Sequence, residues 1–259
     1  MKKLLSFLVM VLPLLEFAAA QDKSMFSKEV FVQGTDTLLY RMLLPENFDA
    51  SGKYPVLMFL HGAGERGHDN EAQLMHGSKL FLRTDVRRDF PAIVIFPQCP
   101  KDDYWANVKI GDGKSGDRFS FQRGGEPGRA MHLLLGLLAQ LKSESFTEDS
   151  RFYVGGLSMG GMGTFEILRR KPRAFAAAFA ICGGDDVRNV KKYKKVPLWI
   201  FHGAKDTTVP ISKSEIVVNE LKRLNRPAKF TIYPEAGHNS WDAAFAEPAF
   251  LSWIFSHER

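Results

Sequence analysis

Hydrophobic positions in this chain form short apolar runs separated by longer amphipathic stretches. Continuous apolar runs such as residues 56–60 are typical of strands buried on both faces. The pattern predicts eight strands, at residues 30–32, 38–44, 56–60, 92–96, 152–155, 175–181, 198–201 and 230–233. Helical periodicity predicts helices at residues 129–141, 159–170, 212–225 and about 241–256, the third opening with a Ser212–Glu215 capping box. This alternation favours an α/β fold with a mostly parallel sheet that helices cover on both faces.

The start of the chain has the pattern of a secretory signal peptide. Lys2 and Lys3 are positively charged, and the apolar run at residues 4–15 is too short to cross a bilayer as a helix. Small alanines at 18–20 precede a cleavage site that we place before Gln21. We therefore predict a signal peptide at residues 1–20, a single domain at 21–259, and a secreted or periplasmic protein. A buried N-terminal helix is the alternative.

Composition excludes several classes of protein. With 45% hydrophobic and 25% charged residues, the chain is an ordinary globular sequence. Its formal charge of +6 over 259 residues is a weak field, and neither a nucleic-acid-binding motif nor a membrane anchor is predicted. The dense cationic run at residues 191–195 is more typical of a solvated loop than of a contact with an anionic surface. The sequence does not indicate an oligomeric state.

Two cysteines, Cys99 and Cys182, are too few for a disulfide framework or a cysteine-rich zinc site. Secretion permits a bond between them. The expected order of strands, however, places two other strands between those that carry them, which favours free thiols unless loops close the gap. We expect no metal and no organic cofactor.

A candidate nucleophile lies where the predicted strand at 152–155 turns into the helix at 159–170. The segment Gly156-Leu157-Ser158-Met159-Gly160 has the spacing G-x-S-x-G, which is weak evidence alone and stronger between a strand and a helix. Such a turn holds its serine in a strained conformation and needs small residues on both sides. It also places the hydroxyl of Ser158 beside a helix N-terminus, where an oxyanion is favoured.

A serine hydroxyl needs a base and an acid that orients the base. Asp206 follows the next-to-last predicted strand and His238 follows the last one, so both are expected at the same edge of the sheet as Ser158. The chain order serine, aspartate, histidine is that of α/β-hydrolases. Other candidates for the acid are Asp185 and Asp186, and more weakly Glu235.

The oxyanion donors are predicted from position in the fold. The segment Leu60-His61-Gly62-Ala63-Gly64 follows the strand at 56–60, where the second donor of such a site is supplied. We assign the backbone amides of Ala63 and Met159 to this oxyanion hole. His61 has no second histidine at metal-ligand spacing, so we expect a packed structural histidine.

These residues resemble those of a known family. From about Leu38 onward the chain is similar to the α/β-hydrolase superfamily, and within it to secreted bacterial esterases grouped with polyhydroxybutyrate depolymerases, feruloyl and acetylxylan esterases of carbohydrate esterase family one, and prolyl-oligopeptidase-like predicted peptidases. The motifs that carry the likeness lie at residues 60–67, 97–100, 156–161, 181–184 and 237–241. The resemblance implies an eight-stranded α/β-hydrolase fold and a Ser158–Asp206–His238 triad. The chain departs from dienelactone hydrolases, whose nucleophile is cysteine.

The expected activity is hydrolysis of carboxylic esters, through an acyl-enzyme, on acetyl or feruloyl esters of plant polysaccharide or related small esters. The connection between residues 183 and 197 is too short for a lid domain, whereas the insertion at residues 97–125 is expected to wall the cleft. We predict substrate contacts from Trp105, Trp241, Gln98 and Arg66. Packing in the core is an equal alternative for the two tryptophans, and for Arg66 we favour an ion pair with Glu65 that fixes the loop. The alternatives are a peptidase or amidase, a phospholipase or broad carboxylesterase, and an inactive carbohydrate-binding module.

Overall fold

The computed structural model describes residues 22–112 and 118–259, so the predicted signal peptide at 1–20 lies outside the described residues. Ten strands are formed by the described chain: β1 Ser27–Gln33, β2 Asp36–Leu43, β3 Tyr54–Leu60, β4 Ile93–Pro97, β5 Val108–Ile110, β6 Phe119–Phe121, β7 Thr147–Leu157, β8 Ala177–Ile181, β9 Leu198–Gly203 and β10 Lys229–Tyr233. All eight predicted strands are present. The β5–β6 hairpin lies within the insertion at residues 97–125 and was not predicted.

Eight of these strands form one sheet in the order β1-β2-β4-β3-β7-β8-β9-β10. Strand β2 pairs in antiparallel fashion with β1 and β4, and every other pairing in this sheet is parallel. The carboxyl ends of β3, β7, β8, β9 and β10 therefore meet at one edge. This arrangement confirms the predicted α/β-hydrolase fold with a mostly parallel eight-stranded sheet.

Helices cover both faces of the sheet: α1 Ser78–Phe81, α2 Thr84–Asp89, α3 Arg129–Ser143, α4 Met159–Arg170, α5 Val190–Tyr193, α6 Ser212–Arg223, α7 Trp241–Phe245 and α8 Phe250–Phe255. Short 3-10 helices lie at Lys23–Met25, Ala63–Glu65 and Ala72–Leu74. In the described residues, no helix is long and apolar enough to cross a membrane. Only the short α5 lies between β8 and β9, so no lid domain is inserted there.

Strand β3 illustrates how the sheet builds two cores. Its residues alternate between the faces, so Met58 and Leu60 join one buried cluster while Phe59 joins the other. The first cluster includes the apolar sides of α3, α4 and α6, and the second includes those of α7 and α8. The complete burial of this strand on both faces explains its unbroken apolar sequence.

Two helix predictions were wrong in detail. The single final helix is divided into α7 and α8, and Pro248 lies in the break because proline has no backbone N–H and its ring clashes within a helix. The Ser212–Glu215 capping box is not formed. Helix α6 instead begins from a turn in which the amide of Lys213 donates to Pro210 and that of Ser214 donates to Ile211.

The first turn of α4 touches the end of β3 through its backbone. A Cβ atom added at Gly160 would overlap the carbonyl group of Leu60, and one at Gly156 would lie 2.5 Å from the same oxygen. Both glycines are therefore required by this contact, as expected for a sharp turn between a strand and a helix.

We predict that Gly160→Ala destabilises the protein by about 3 kcal/mol or more, because neither backbone can retreat from the added methyl group. Urea denaturation measures the change. Gly64→Ala is the matched control, since a Cβ at Gly64 meets nothing within 4 Å. Equal stability of the two variants would contradict this account of the contact.

Candidate active site

Ser158 occupies the sharp turn between β7 and α4. Its backbone has φ 53° and ψ −117°, a strained conformation for a residue with a side chain. The turn is held because the amide of Ser158 donates to the carbonyl oxygen of Ile181 on β8, at 2.8 Å. The side chain thereby stands at the carboxyl edge of the sheet, as the G-x-S-x-G spacing predicted.

Three predicted site residues lie in hydrogen-bond contact. His238, on the loop after β10, has Nε2 2.9 Å from Oγ of Ser158 and Nδ1 2.8 Å from Oδ2 of Asp206. Asp206 follows β9 and is buried, whereas Ser158 and His238 are half-buried. This is the relative geometry of a nucleophile, a base and an acid that orients the base.

The carboxylate of Asp206 is held ionised by its partners. Burial raises its pKa, but hydrogen bonds from His202 and His238 and from the amide of Val209 outweigh burial and hold the pKa well below its usual range. Oδ1 also accepts from the amides of Thr208 and Val209, each at 2.9 Å. A carboxylate in this state can orient an imidazole and stabilise its protonated form.

The other candidate acids have different partners. Asp185 is buried and accepts hydrogen bonds from Asn189 and Tyr193, and burial raises its pKa to about 7. Asp186 pairs with Arg188, and Glu235 pairs with Lys205 at the surface. In the structure it is Asp206, and none of these three, that contacts His238.

The predicted oxyanion donors flank the serine. Met159 is the first residue of α4 and Ala63 is the first residue of a 3-10 helix, so neither amide has an intrahelical partner. Among the described residues neither amide donates a hydrogen bond. A Cβ placed at Gly62 would be 3.8 Å from Cβ of Ser158, so the Gly62–Ala63 peptide lies beside Ser158.

A set of buried hydrogen bonds holds this loop. His61 is buried, with Nδ1 donating to the carbonyl oxygen of Gly62 at 2.6 Å and Nε2 accepting from the amide of Cys99 at 2.9 Å. Arg66 donates to the carbonyl oxygens of Ala63 and Asp103 at 3.0 and 3.2 Å. His61 is thus a structural histidine, as expected, and Arg66 braces the loop through main-chain carbonyls and not through Glu65.

Two of the predicted substrate-binding residues are enclosed by protein. Trp105 is 0% exposed and packs edge-on to His61 inside the core. Gln98 is 2% exposed, and its amide group binds the backbone of Asn70 and Glu65 and the side chain of Asp69. The placement of Trp105 and Gln98 in the substrate pocket was wrong, because both side chains support the loops from within.

Trp241 has the position that Trp105 lacks. It is half-buried at the start of α7, with its ring 5.5 Å from the ring of His238 and 5.0 Å from that of His76. His76 in turn lies 3.8 Å from the carboxylate of Glu65. His76 was not predicted as a site residue, because it belongs to no recognised motif and lies far along the chain from Trp241 and His238.

The insertion at residues 97–125 packs beside the loop that carries Asp206. Phe119 of β6 forms a small buried cluster with Met162 of α4 and Val209, which follows Asp206. Residues 113–117 of this insertion lie outside the described residues. The described part therefore connects the insertion to both α4 and the loop that carries Asp206.

Both cysteines are free and buried. The ligand atoms of Cys182, Asp206 and His238 lie within 4.8 Å of one another, so this group could hold a metal ion. Burial, however, raises the pKa of the Cys182 thiol far above its ordinary value, and both oxygens of Asp206 already accept hydrogen bonds. A metal would have to displace these contacts, whereas proton transfer uses them as they stand.

Comparison with known proteins identifies the family. The model of the dienelactone hydrolase family matches residues 118–249, half of the chain, and this region includes Ser158, Asp206 and His238. The chain belongs to the dienelactone hydrolase family. The nucleophile of dienelactone hydrolases is a cysteine, whereas this chain carries Ser158 at the turn between β7 and α4. Cys182 lies on a different segment, after β8.

Two curated relatives cover parts of the chain. A protein of Arthroderma benhamiae named as an uncharacterized secreted protein is 23% identical over 239 residues, which are 79% of this chain and 23% of that protein. A bifunctional acetylxylan esterase/xylanase of Neocallimastix patriciarum is 32% identical over 80 residues, which are 30% of this chain and 12% of that protein. The chain thus spans less than a quarter of the length of either relative.

Solved structures give the same fold. A thermostable esterase has a TM-score of 0.80 at 30% identity, covering 91% of this chain and 64% of the esterase. A ferulic acid esterase of Anaeromyces mucronatus has a TM-score of 0.64 at 15% identity, covering 90% of each chain. These likenesses show that the chain shares the α/β-hydrolase fold of these esterases.

We predict that His61 makes the protein less stable in mild acid. Burial lowers the pKa of His61 from 6.5 to about 4, so between these values the unfolded chain binds a proton that the folded chain does not. The free energy of unfolding should therefore fall as pH decreases below 6.5, by about 2 kcal/mol from this residue between pH 7 and pH 5. Urea denaturation at the two pH values measures it.

His61→Gln provides the control, because glutamine does not titrate. The wild type should lose more stability than this variant over the same pH interval. An equal loss in both proteins would show that His61 is not the titrating group.

Proposed function

We propose that this protein is a secreted serine esterase that uses Ser158, His238 and Asp206 as a catalytic triad. The observation that carries the proposal is the pair of contacts made by His238, 2.9 Å to the hydroxyl of Ser158 and 2.8 Å to the carboxylate of Asp206. The strained backbone of Ser158 supports it, since strain of this kind is concentrated at functional sites.

In the proposed reaction Nε2 of His238 removes the proton of Ser158 as its oxygen attacks an ester carbonyl. Asp206 accepts a hydrogen bond from Nδ1–H of His238, which keeps the ring in the required tautomer and stabilises the imidazolium. The amides of Ala63 and Met159 bind the oxyanion, and the N-terminus of α4 favours its charge. His238 then protonates the leaving alcohol, and water hydrolyses the acyl-enzyme.

We propose acetyl or feruloyl esters of plant polysaccharide, or related small esters, as substrates. The acetylxylan esterase relative and the ferulic acid esterase neighbour support this class of substrate. The absence of a lid between β8 and β9 supports it as well, because an open site accepts an ester attached to a polymer. The relative named as a secreted protein and the predicted signal peptide support secretion.

We predict that Ser158→Ala lowers kcat/KM for p-nitrophenyl acetate by about 10⁴-fold or more, because no other group supplies the attacking oxygen. The same variant should lose labelling by a fluorophosphonate probe. Ser212→Ala is the matched control, since Ser212 is exposed on α6. Full activity of the Ser158 variant would refute the triad, and preferential cleavage of peptide anilides over esters by the wild type would favour a peptidase.

We predict that Trp241→Ala weakens hydrolysis of methyl ferulate more than that of p-nitrophenyl acetate. The ring of this half-buried residue lies 5.5 Å from that of His238, where it can stack on an aromatic acyl group. Such a contact is worth about 0.5–1.5 kcal/mol, or roughly two- to twelvefold in kcat/KM. Trp241→Phe should restore most of the preference. An equal loss on both substrates would show that Trp241 only supports His238.

A further inference from the structure

A second histidine lies against the acid of the proposed triad. His202 on β9 is fully buried, and its Nε2 atom lies 2.8 Å from the carbonyl oxygen of Val209 and 3.3 Å from Oδ2 of Asp206. Both of these oxygens are acceptors, so Nε2 carries the proton and donates. The hydrogen bond of this N–H goes to Val209, and Oδ2 of Asp206, which accepts from His238, lies in contact with the same N–H group.

The other ring nitrogen of His202 is also engaged. Nδ1 lies 2.8 Å from the hydroxyl oxygen of Ser214, which is 3.0 Å from the carbonyl oxygen of Gly183. The hydroxyl has one proton. If it donates to Gly183, Nδ1 donates to Ser214 and the ring is cationic. If it donates to Nδ1, the ring is neutral, and in both arrangements Nε2–H still faces Asp206.

His202 also contacts the loop that carries Asp206 through Val209. Val209 donates its amide to Oδ1 of Asp206 at 2.9 Å, and its carbonyl oxygen accepts from His202. Removing His202 would leave that buried carbonyl without this donor and loosen the loop that carries Asp206.

We propose that His202 is a positioning residue of the esterase: it directs Oδ2 of Asp206 toward His238 and reduces the attraction of that carboxylate for a proton on His238. This inference rests on the proposed function, since it matters only if the triad is catalytic. The Cys182 thiol, which follows β8, has its sulfur within 4.8 Å of the ligand atoms of Asp206 and His238, and the buried Lys213 precedes Ser214 on α6.

Loss of His202 should shift the pH profile of the enzyme in one direction. The acidic limb of kcat/KM reports protonation of the essential base in the free enzyme, here His238. Without the N–H of His202, Asp206 stabilises the protonated form of His238 more strongly. Loss of a cationic His202 would act in the same direction, because it removes a like charge. The limb should therefore move to higher pH.

The test compares His202→Leu with His202→Gln on p-nitrophenyl acetate. Leucine removes the donor, whereas the amide of glutamine can reach the position of Nε2. We expect the leucine variant to lose at least about tenfold in kcat with KM changed less than about twofold, and its acidic limb to shift upward by about half a pH unit or more. The glutamine variant should recover most of kcat and keep the limb near that of the wild type.

An unshifted limb in the leucine variant, or equal losses in the two variants, would overturn the proposal. If the leucine variant does not fold, His202→Asn replaces it, because its shorter amide does not reach Oδ2. Failure of the triad itself is detected separately, because Ser158→Ala would then retain activity. When Ser158→Ala is inactive, an unshifted limb in His202→Leu counts against the role of His202 alone.

Discussion

The site depends on the close approach of two backbones, where the first turn of α4 lies against the end of β3. Glycine at positions 156 and 160 permits this approach, because any side chain there would meet the carbonyl group of Leu60. The approach places Ser158 in its strained conformation and brings the Gly62–Ala63 peptide beside it. The proposed nucleophile and one proposed oxyanion donor are thus positioned by a single packing contact, and the surrounding sheet bears the strain.

A second constraint is the buried charge of Asp206. Burial of a carboxylate is unfavourable unless hydrogen bonds satisfy it. Here two backbone amides and two histidines do so, and they outweigh the effect of burial on the pKa of Asp206. The same contacts fix the direction of the carboxylate, so the stability of the loop and the orientation of His238 have a common origin. Burying this carboxylate costs free energy on folding, but the group needs no rearrangement when the imidazolium forms.

The sheet and the three facing side chains could be predicted from sequence because each follows from local rules. Apolar runs indicate doubly buried strands, and residues that follow parallel strands meet at one edge. The pocket could not be predicted in this way. Trp105 and Trp241 have the same chemistry, and only tertiary packing distinguishes the one buried against His61 from the one beside His238. Gln98 was misplaced because a polar residue after a strand can serve a loop network as well as a ligand.

His202 shows where the chemistry of a triad extends beyond its three members. It lies four residues before Asp206 and belongs to the apolar strand β9, so sequence alone gives it the appearance of a core residue. Its proposed role depends on where the protons lie. Ser214 can donate either to Gly183 or to Nδ1 of His202, and in both arrangements Nε2 of His202 is a donor. In the proposed mechanism, the acid that orients His238 is thus itself positioned by a second histidine. Val209 donates its amide to Asp206 and accepts from His202 through its carbonyl, so one buried histidine contacts both the carboxylate and the loop that holds it.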